Sequence, residues 1–243
     1  MKEKILEVKN LSFSYKEQKV LSNISFDIYK GDYFGILGPN GSGKTTLLKL
    51  CLGLISSKEG SINIFGQDIQ SSTKKNKISY ISQKSNSFNL SFPATVNELI
   101  YSSLRSIGYD SKSSKKMASD AIDTVGIGNI ANKRIGNLSG GQQQKAFIAK
   151  AISSKPEMIF LDEPTVGIDY GSEGFFYEAM HKLNLSGVSI CMISHDISAI
   201  TSYANRVACI GENTFHIHEN QDIMDIETSL KKIYGKKMRL VTH

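Results

Sequence analysis

A glycine-rich stretch, Gly38-Pro39-Asn40-Gly41-Ser42-Gly43-Lys44-Thr45, occupies residues 38–45 of the chain. It matches the pattern G-x-x-x-x-G-K-[ST] and stands between an apolar run at 33–37 and a helix-like segment at 46–52. Glycines at these spacings let the backbone curl with its amide N–H groups pointing inward, and the positive end of a following helix adds to their field. The stretch therefore predicts a phosphate-binding loop between a strand and a helix, called the phosphate loop below.

The residues of the phosphate loop have distinct expected tasks. Lys44 is expected to reach the β- and γ-phosphates of a nucleotide, and the Thr45 hydroxyl to bind the Mg²⁺ that bridges them. A glycine-rich turn that binds nothing is the alternative, but it leaves the register of strand, helix, lysine and threonine unexplained. The predicted nucleotide-binding set at the loop is Gly38, Asn40, Gly41, Ser42, Gly43, Lys44, Thr45 and Thr46.

Length and composition indicate a globular protein. A chain of 243 residues with 40% hydrophobic content fits one large α/β domain or a core with a sizeable insertion. No segment offers about 18 consecutive apolar residues, and the start of the chain lacks the basic-then-apolar order of a signal peptide, so a cytoplasmic location is expected. The cysteines lie in apolar segments without metal-ligand spacing, which predicts reduced core residues at Cys51, Cys191 and Cys209.

Positive charge is concentrated at the C-terminal end. The net charge is +6, and residues 231–243 carry five basic side chains and no acidic one. A basic tail at about 221–243 could touch nucleic acid or an anionic membrane surface, but a solvated helix end is the more frequent explanation. The rest of the chain is not basic enough to indicate a nucleic-acid partner.

The first 30 residues predict paired strands, because residues 6–9, 11–15 and 21–28 alternate between apolar and polar side chains. They indicate an antiparallel edge sheet beside a nucleotide core. Tyr15 ends one of these strands. Its aromatic face could stack on a purine there, although an ordinary strand residue is the more frequent role.

Two short strands are expected after the first helix, at 61–66 and 77–83. Gln83 ends the second of them, at the edge where open α/β sheets bind ligands. A surface glutamine is the alternative.

Residues from about 91 to 150 show helical spacing and no convincing strand. They predict a helical subdomain inserted into a nucleotide core of about 1–90 and 151–220. Lysine, serine and glycine collect at 106–116, as in an exposed connection. An apolar loop at 88–93 precedes the subdomain.

The predicted subdomain contains the string Leu138-Ser139-Gly140-Gly141-Gln142, which an amphipathic segment follows. Ser139 and Gln142 stand at the spacing of a capping box, in which two side chains satisfy backbone N–H groups of the first helical turn. Bare glycines at this helix start leave its other N–H groups open to an anion. The chain thus predicts two helix starts that attract phosphate, and only the first carries a lysine.

Catalytic candidates follow two apolar strands. The run at 158–163 closes on Asp162 and Glu163, and the run at 188–193 is followed by His195. Beside a phosphate loop, Asp162 can hold Mg²⁺ through water, Glu163 can orient or deprotonate an attacking water, and His195 can donate to the γ-phosphate. In isolation, the two acids would be an acidic turn and His195 a loop histidine.

The last two predicted strands lie at 206–210 and 214–219. His216 and His218 would project from the same strand face. A weak metal site is conceivable there, but an exposed strand edge is favoured.

Taken together, these segments occur in the order found in the ATP-binding-cassette (ABC) family, which the chain resembles over about residues 4–220. The string Leu-Ser-Gly-Gly-Gln separates this family from other P-loop NTPases. The resemblance implies an α/β fold: a P-loop NTPase core with an antiparallel β edge subdomain and an inserted helical subdomain. It also implies a head-to-tail homodimer with two ATP molecules between the subunits.

The resemblance assigns roles that spacing alone does not. Tyr15 would stack on adenine, and Asp169 would touch the partner subunit. Gln83 would join Thr45 as a ligand of Mg²⁺, with Asp162 in support. The residues that would complete the ATP site of the other subunit are Ser139, Gly140, Gly141 and Gln142.

A closer resemblance is carried by residues 83–96 and 137–144, which are similar to the ATPase subunits of bacterial zinc and manganese importers. It implies a separate integral membrane permease, an extracytoplasmic metal-binding protein and a place on the cytoplasmic face of the membrane. The apolar loop at 88–93 could then contact the permease and transmit to it whether ATP is bound. Alternatively, the loop packs against its own helical subdomain. Two features depart from the family pattern, namely Lys145 in place of arginine and Val-Gly-Ile-Asp at 166–169.

Two other functions fit parts of the sequence. Soluble ABC ATPases that act on ribosomes or DNA usually carry two cassettes or a long coiled insertion, and this chain has neither. A P-loop kinase for a small molecule leaves the Leu-Ser-Gly-Gly-Gln string unexplained. The favoured prediction is the ATPase subunit of a metal-ion importer that uses ATP and Mg²⁺ and binds no nucleic acid.

Overall fold

The computed structural model of the protein describes residues 2–82, 93–166, 170–211, 214–219, 226, 228–230 and 233. The chain divides into two compact units, residues 1–74 with 183–243 and residues 75–182. In chain order, the strands and α-helices are β1 (Lys4–Tyr15), β2 (Gln18–Tyr29), β3 (Tyr33–Leu37), α1 (Lys44–Cys51), β4 (Glu59–Ile64), β5 (Gln67–Asp68), β6 (Ile78–Ile81), α2 (Val96–Ser106), α3 (Ser111–Val125), α4 (Gly140–Ser153), β7 (Met158–Asp162), α5 (Tyr170–Leu185), β8 (Ser189–Ile193), α6 (Ile197–Tyr203), β9 (Arg206–Ile210) and β10 (Phe215–Glu219).

The first unit contains the expected antiparallel sheet, in the order β2-β1-β4-β5. The separate segments predicted at 6–9 and 11–15 form one continuous strand, β1. Between them, Asn10 adopts a left-handed backbone with φ of 49°, and its N–H donates to Ser25 Oγ at 2.8 Å. The interruption in the apolar pattern is therefore an irregularity within a paired strand, of the kind a β-bulge produces.

Strand β4 begins and ends two residues earlier than the predicted segment 61–66. The reason lies at its end, where Phe65 and Gly66 have left-handed φ values of 49° and 75°. A left-handed backbone cannot continue a strand, so the chain turns there into β5.

A second sheet in the first unit has the order β10-β9-β3-β8. β3 runs parallel to both of its neighbours, and β10 is antiparallel to β9. Every residue of β3 and β8 is buried, which explains why their apolar runs do not alternate with polar residues. Because Ile36 pairs with Ile193, the carboxyl ends of β3 and β8 leave this sheet side by side.

The second unit contains the parallel pair β6 and β7, in register from Ile78 opposite Met158 to Ile81 opposite Leu161. In the same unit, α2, α3 and α4 share one apolar core. Its buried members include Val96, Leu99, Ile100, Leu104, Ala118, Ile122, Ala146 and Phe147.

The exposed connection predicted at 106–116 is wrong for its second half, because helix α3 begins at Ser111. Asp110 caps this helix, and its carboxylate accepts a hydrogen bond of 3.0 Å from the Ser113 N–H. Lys112, Lys115 and Lys116 lie on the exposed side of this amphipathic helix, whereas Ser114 is buried on its inner side, which continues with Ala118.

The predicted basic tail at 221–243 lies almost wholly outside the described residues. Ile226 and Leu230 of this region are described, and both side chains are buried. None of the helices in the described ranges combines the length and the apolar character that crossing a lipid bilayer requires.

Candidate functional site

The phosphate loop joins the end of β3 to the start of α1. Its backbone has the left-handed conformations that its glycines predict. Gly41 and Gly43 have φ values of 83° and 93°, in the left-handed region that favours glycine. A Cβ at Gly38 would run into the carbonyl oxygen of Ile210. The loop is therefore held close to β9 on one side and opens α1 on the other, with Gly43 as the N-cap residue.

Lys44 lies across this loop. Its ammonium group donates to the carbonyl oxygens of Gly38 at 2.7 Å and Pro39 at 2.9 Å, and the residue is 5% exposed. The positive charge is thus fixed inside the curl of the loop. Ser42 Oγ is also buried, and among the described residues it has no hydrogen-bond partner. A buried cation and an unsatisfied hydroxyl suit an anionic, oxygen-rich ligand such as a phosphate.

His195 follows β8 and is exposed. It stands between Ser194 and Asp196, and Asp196 caps α6 by accepting a hydrogen bond of 2.9 Å from the Ala199 N–H. Since β3 and β8 end side by side, the structure brings His195 and the phosphate loop to the same edge of the first unit's sheet.

Tyr15 is the last residue of β1, as predicted, and is 46% exposed. Its ring meets the Phe13 ring edge-on, with centroids 4.8 Å apart and an interplanar angle of 86°. One face of an aromatic ring supported in this way remains able to stack on a base.

In the second unit, Asp162 and Glu163 end β7. Asp162 is 3% exposed, and Glu163 is half-buried with a left-handed φ of 49°. Tyr80 on β6 stands opposite Phe160 on β7, two residues before Asp162. Burial, together with the negative charge of Asp162, raises the pKa of Tyr80 to about 12, so this hydroxyl stays protonated at neutral pH. Sequence reasoning missed Tyr80, because only the pairing of β6 with β7 brings it to the aspartate.

The start of α4 is the predicted capping box. Ser139 Oγ accepts from the Gln142 N–H at 3.4 Å, and Gln142 Oε1 accepts from the Ser139 N–H at 3.2 Å. A Cβ on Gly140 would meet no atom within 4 Å, whereas one on Gly141 would run into Ser172 Oγ. Gln143, another residue that sequence reasoning missed, donates from Nε2 to the carbonyl oxygens of Ile135 at 3.1 Å and Leu138 at 3.2 Å.

Oxygen ligands for Mg²⁺ occur in each unit. Thr45 in the first unit and Asp162 in the second offer a hydroxyl and a carboxylate, which are ligand types that Mg²⁺ prefers. The donor chemistry therefore fits this ion. Gln83 and Asp169, the other residues that the family resemblance assigns, lie outside the described residues.

Strand β10 carries His216 and His218, for which the sequence favours an exposed strand edge over a metal site. β10 has one described neighbour, β9, and His216 is exposed. His218 Nε2 lies 3.0 Å from Ser229 Oγ. Within the ranges that the structure describes, no three His, Cys, Asp or Glu side chains gather as they would around a metal ion.

A lysine-bearing phosphate loop and a buried acidic strand end define a P-loop nucleotide-binding protein. The chain belongs to the ABC transporter family, whose family model matches residues 21–166. ATP is accordingly the nucleotide of the phosphate loop, and ATP hydrolysis is the activity expected of this family. The predicted family membership is confirmed.

Relatives across most of the chain are named ATP-binding proteins of metal transport. The zinc uptake system ATP-binding protein ZurA of Listeria monocytogenes is 42% identical over 214 residues, which cover 86% of this chain and 83% of the relative. The zinc uptake protein ZnuC of Bacillus subtilis is 35% identical, with 84% and 89% covered. The manganese transport protein MntB of Listeria monocytogenes is also 35% identical, with 85% and 87% covered. The predicted similarity to zinc and manganese transport proteins is confirmed.

Solved structures show the same fold at low identity. The cbiO1 protein of Clostridium perfringens, part of the ABC transporter complex cbiONQ, has a TM-score of 0.81 at 24% identity, covering 97% of this chain and 96% of that one. An ATP-binding cassette in its ADP conformation has a TM-score of 0.83 at 22% identity, covering 95% and 98%. The predicted fold class, an ABC ATPase with an antiparallel sheet, is confirmed.

Proposed function

We propose that this protein is the ATP-binding and ATP-hydrolysing subunit of a bacterial import system for zinc or manganese ions. The observation that carries the ATPase assignment is the phosphate loop, in which the Lys44 ammonium group is fixed to the Gly38 carbonyl at 2.7 Å. The metal cargo rests on relatives whose names include zinc or manganese transport.

Binding of the nucleotide begins with preorganised groups of the chain. The loop amides and Lys44 receive the β- and γ-phosphates without first having to order, so little of the binding free energy is lost to loop closure. Tyr15, exposed at the end of β1, stacks on the adenine. Mg²⁺, held by Thr45 and Gln83 and supported by Asp162, supplies charge neutralisation on the phosphate oxygens when it is bound.

Hydrolysis uses Glu163 as the general base. Its half-buried carboxylate follows Asp162 directly and accepts a proton from a water that attacks the γ-phosphorus in line. His195 donates a hydrogen bond to a γ-phosphate oxygen, where negative charge is held in the transition state. Positioning and electrostatics, and no covalent intermediate with the protein, account for the rate.

A second copy of the chain completes the site. Ser139, Gly140, Gly141 and Gln142 of one subunit approach the γ-phosphate bound by the other, and Asp169 contacts the partner subunit. The open space around Gly140 supports this proposal, because a phosphate can approach the helix start closely there. ATP binding closes the homodimer and ATP hydrolysis reopens it. The chemical state of the bound nucleotide is thereby coupled to movement of the two subunits.

The other components are a membrane permease and an extracytoplasmic metal-binding protein, and the subunit lies on the cytoplasmic face of the membrane. Within the chain, the nucleotide core comprises about residues 1–90 and 151–220, and the helical subdomain about 91–150. The apolar loop at 88–93, of which the structure describes Pro93, is the contact with the permease.

The ATPase assignment is tested with purified protein and Mg-ATP. Glu163→Gln should bind ATP within about threefold of the unmodified protein, release phosphate at least about a hundredfold more slowly, and form a stable dimer on gel filtration. Glu178→Gln is the matched control, since Glu178 is an exposed carboxylate paired with Lys182 one helical turn away. A Glu163→Gln protein that hydrolyses ATP at the unmodified rate would remove Glu163 from the mechanism.

The cargo and the alternatives need separate measurements. Deletion of the gene should lower the cellular content of zinc or of manganese, and the element that falls identifies the cargo. Co-purification with ribosomes in the absence of a membrane partner would instead favour the soluble ABC ATPase. A phosphorylated small molecule in place of free phosphate would reveal a kinase.

A further inference from the structure

Gln143 lies in the first turn of α4 and contacts the backbone that precedes the helix. Its Nε2 donates to the carbonyl oxygens of Ile135 at 3.1 Å and Leu138 at 3.2 Å. These two carbonyls flank the short 3₁₀ helix at Ile135–Asn137, which leads directly to the N-cap residue Ser139. One amide group therefore joins both ends of the segment 135–138 to the first turn of α4.

The segment 135–138 is also held by the start of α2. The Ile135 N–H donates to the Ala94 carbonyl at 3.0 Å. Just before the segment, the Lys133 carbonyl accepts a hydrogen bond of 3.1 Å from the Val96 N–H. Backbone hydrogen bonds thus fix the segment to α2, and the Gln143 side chain fixes it to α4.

The two carbonyls that Gln143 contacts belong to buried residues, since Ile135 is 0% and Leu138 is 7% exposed. A polar group that loses a donor in the protein interior is unfavourable, and the backbone around it shifts toward other donors. Loss of the Gln143 amide should therefore displace the segment 135–138, and with it Ser139.

Ser139 and Gly140 are the exposed residues at the end of this arrangement. The Ser139 hydroxyl accepts from the Gln142 N–H in the capping box, so its own hydrogen can be donated to an anion. Such a donor is effective only in the correct position, because a displacement of about 1 Å can slow a reaction about a hundredfold. The start of α4 therefore needs a group that fixes its position.

We propose that Gln143 is a positioning residue for the ATPase reaction: its amide holds Ser139 and Gly140 in the geometry that the nucleotide of the other subunit requires. The inference rests on the proposed function, in which these two residues complete the site of the other subunit. Gln143 acts through the segment 135–138 and not by contact with a phosphate.

Gln143→Met tests the amide alone. Methionine is unbranched and uncharged and suits a helix about as well as glutamine does, but it has no hydrogen-bond donor in its side chain. A purely structural role would lower the melting temperature without changing the response to ATP. A positioning role should change the response to ATP and shift the melting temperature by less than about 4 °C.

The experiment measures ATP-dependent dimerisation by gel filtration in the Glu163→Gln background. Adding Gln143→Met should raise the ATP concentration for half-maximal dimer about tenfold, the change that loss of one or two hydrogen bonds produces. Affinity for a fluorescent ATP analogue, measured on the monomer at low protein concentration, should stay within about twofold, because every residue of the phosphate loop is unchanged.

Gln143→Lys should rescue dimerisation, because its ammonium group can again donate to the two carbonyls. A positive charge also attracts nucleotides, but salt screens that attraction, since the Debye length falls from about 10 Å at 0.1 M to about 3 Å at 1 M. Each variant is therefore compared with the Glu163→Gln protein at both salt concentrations. Rescue that is lost at the higher concentration would contradict the proposal.

Gln70→Met is the matched control. Gln70 is exposed, and its Nε2 donates to the Ile55 carbonyl at 3.4 Å, so this variant removes a glutamine donor from the other unit. Its ATP requirement for dimerisation should be unchanged. A Gln143→Met protein that dimerises within about twofold of the ATP concentration needed without that change would overturn the inference.

The Glu163→Gln protein separates this inference from the proposed function. If it dimerises with ATP and Gln143→Met has no effect, only the role of Gln143 is overturned. If it binds the analogue but stays monomeric at saturating ATP, the proposed homodimer and the role of Gln143 are both overturned.

Discussion

The Arg206 guanidinium donates a hydrogen bond of 3.2 Å to the Asp32 carboxylate, although 174 residues separate them in the chain. Asp32 is 1% exposed at its side chain and Arg206 is 13% exposed. The carboxylate also accepts from the Tyr29 N–H at 3.0 Å and from Asn205 Nδ2 at 3.2 Å. This ion pair fixes the start of β9 to the turn that enters β3, and through β3 it supports the base of the phosphate loop.

Removal of one member of the Arg206–Asp32 pair should destabilise the protein. Arg206→Ala leaves the Asp32 carboxylate buried without its cation, which should lower the free energy of unfolding by about 3–5 kcal/mol. Urea unfolding followed by circular dichroism measures the loss. Lys182→Ala is the control, because both members of the Lys182–Glu178 pair are more than half exposed and such a pair contributes about 0.3–0.5 kcal/mol. A loss below about 1 kcal/mol for Arg206→Ala would mean that the pair does not brace β3.

Replacement by alanine should change the stability of the protein at Gly141 but not at Gly140, the two glycines at the start of α4. A Cβ at Gly141 would run into Ser172 Oγ, so Gly141→Ala should destabilise the protein by about 1–3 kcal/mol. Combining it with Ser172→Ala, which removes that oxygen, should restore most of the stability. Thermal melting of the three variants measures this.

Gly140→Ala should leave stability intact, because the new methyl group meets nothing within 4 Å. Under the proposed function, the methyl group stands between the helix start and the γ-phosphate bound by the other subunit. ATP hydrolysis should fall by about a hundredfold, the loss that a displacement of about 1 Å at a reacting group can cause. Normal hydrolysis by a well-folded Gly140→Ala protein would argue against a phosphate contact at this helix start.

The thiols of Cys51, Cys191 and Cys209 should be inert in the folded protein, since all three side chains are buried, as the sequence predicts for reduced core residues. Burial raises the pKa of the Cys51 and Cys209 thiols to about 12, so the reactive thiolate is scarce at pH 8. Compared with an exposed thiol of pKa about 8.5, a thiolate-selective reagent should react about a thousandfold more slowly.

Thiol labelling at increasing urea concentration checks this expectation. Labelling should follow the unfolding transition recorded by circular dichroism. A thiol labelled quickly in the absence of urea would show that its segment opens locally or is not buried.

The parts of the fold that the sequence predicts are those with a local signal. The phosphate loop follows from glycine spacing, and the helix start at Ser139 and Gln142 follows from a capping box whose partners lie three residues apart. Strands β7 and β8 are runs of five buried residues, which are easily recognised.

Other features were beyond sequence reasoning for physical reasons. The polar first turn of α3 resembles a loop, because only its inner side, from Ala118 onward, is apolar. The position of Tyr80 opposite Phe160, two residues before Asp162, depends on which strands pair, and no local pattern encodes that pairing. The Arg206–Asp32 pair likewise exists only after distant segments have come together.

Glu163 has a backbone φ of 49°, a conformation that costs a side-chain-bearing residue about 1–2 kcal/mol and glycine almost nothing. Replacing Glu163 by glycine should therefore raise the thermal stability of the protein. It should also abolish ATP turnover, if Glu163 is the general base. Directed evolution for thermal stability alone would favour glycine at position 163 and yield a more stable protein that no longer hydrolyses ATP. Such a selection therefore has to include transport as a second criterion.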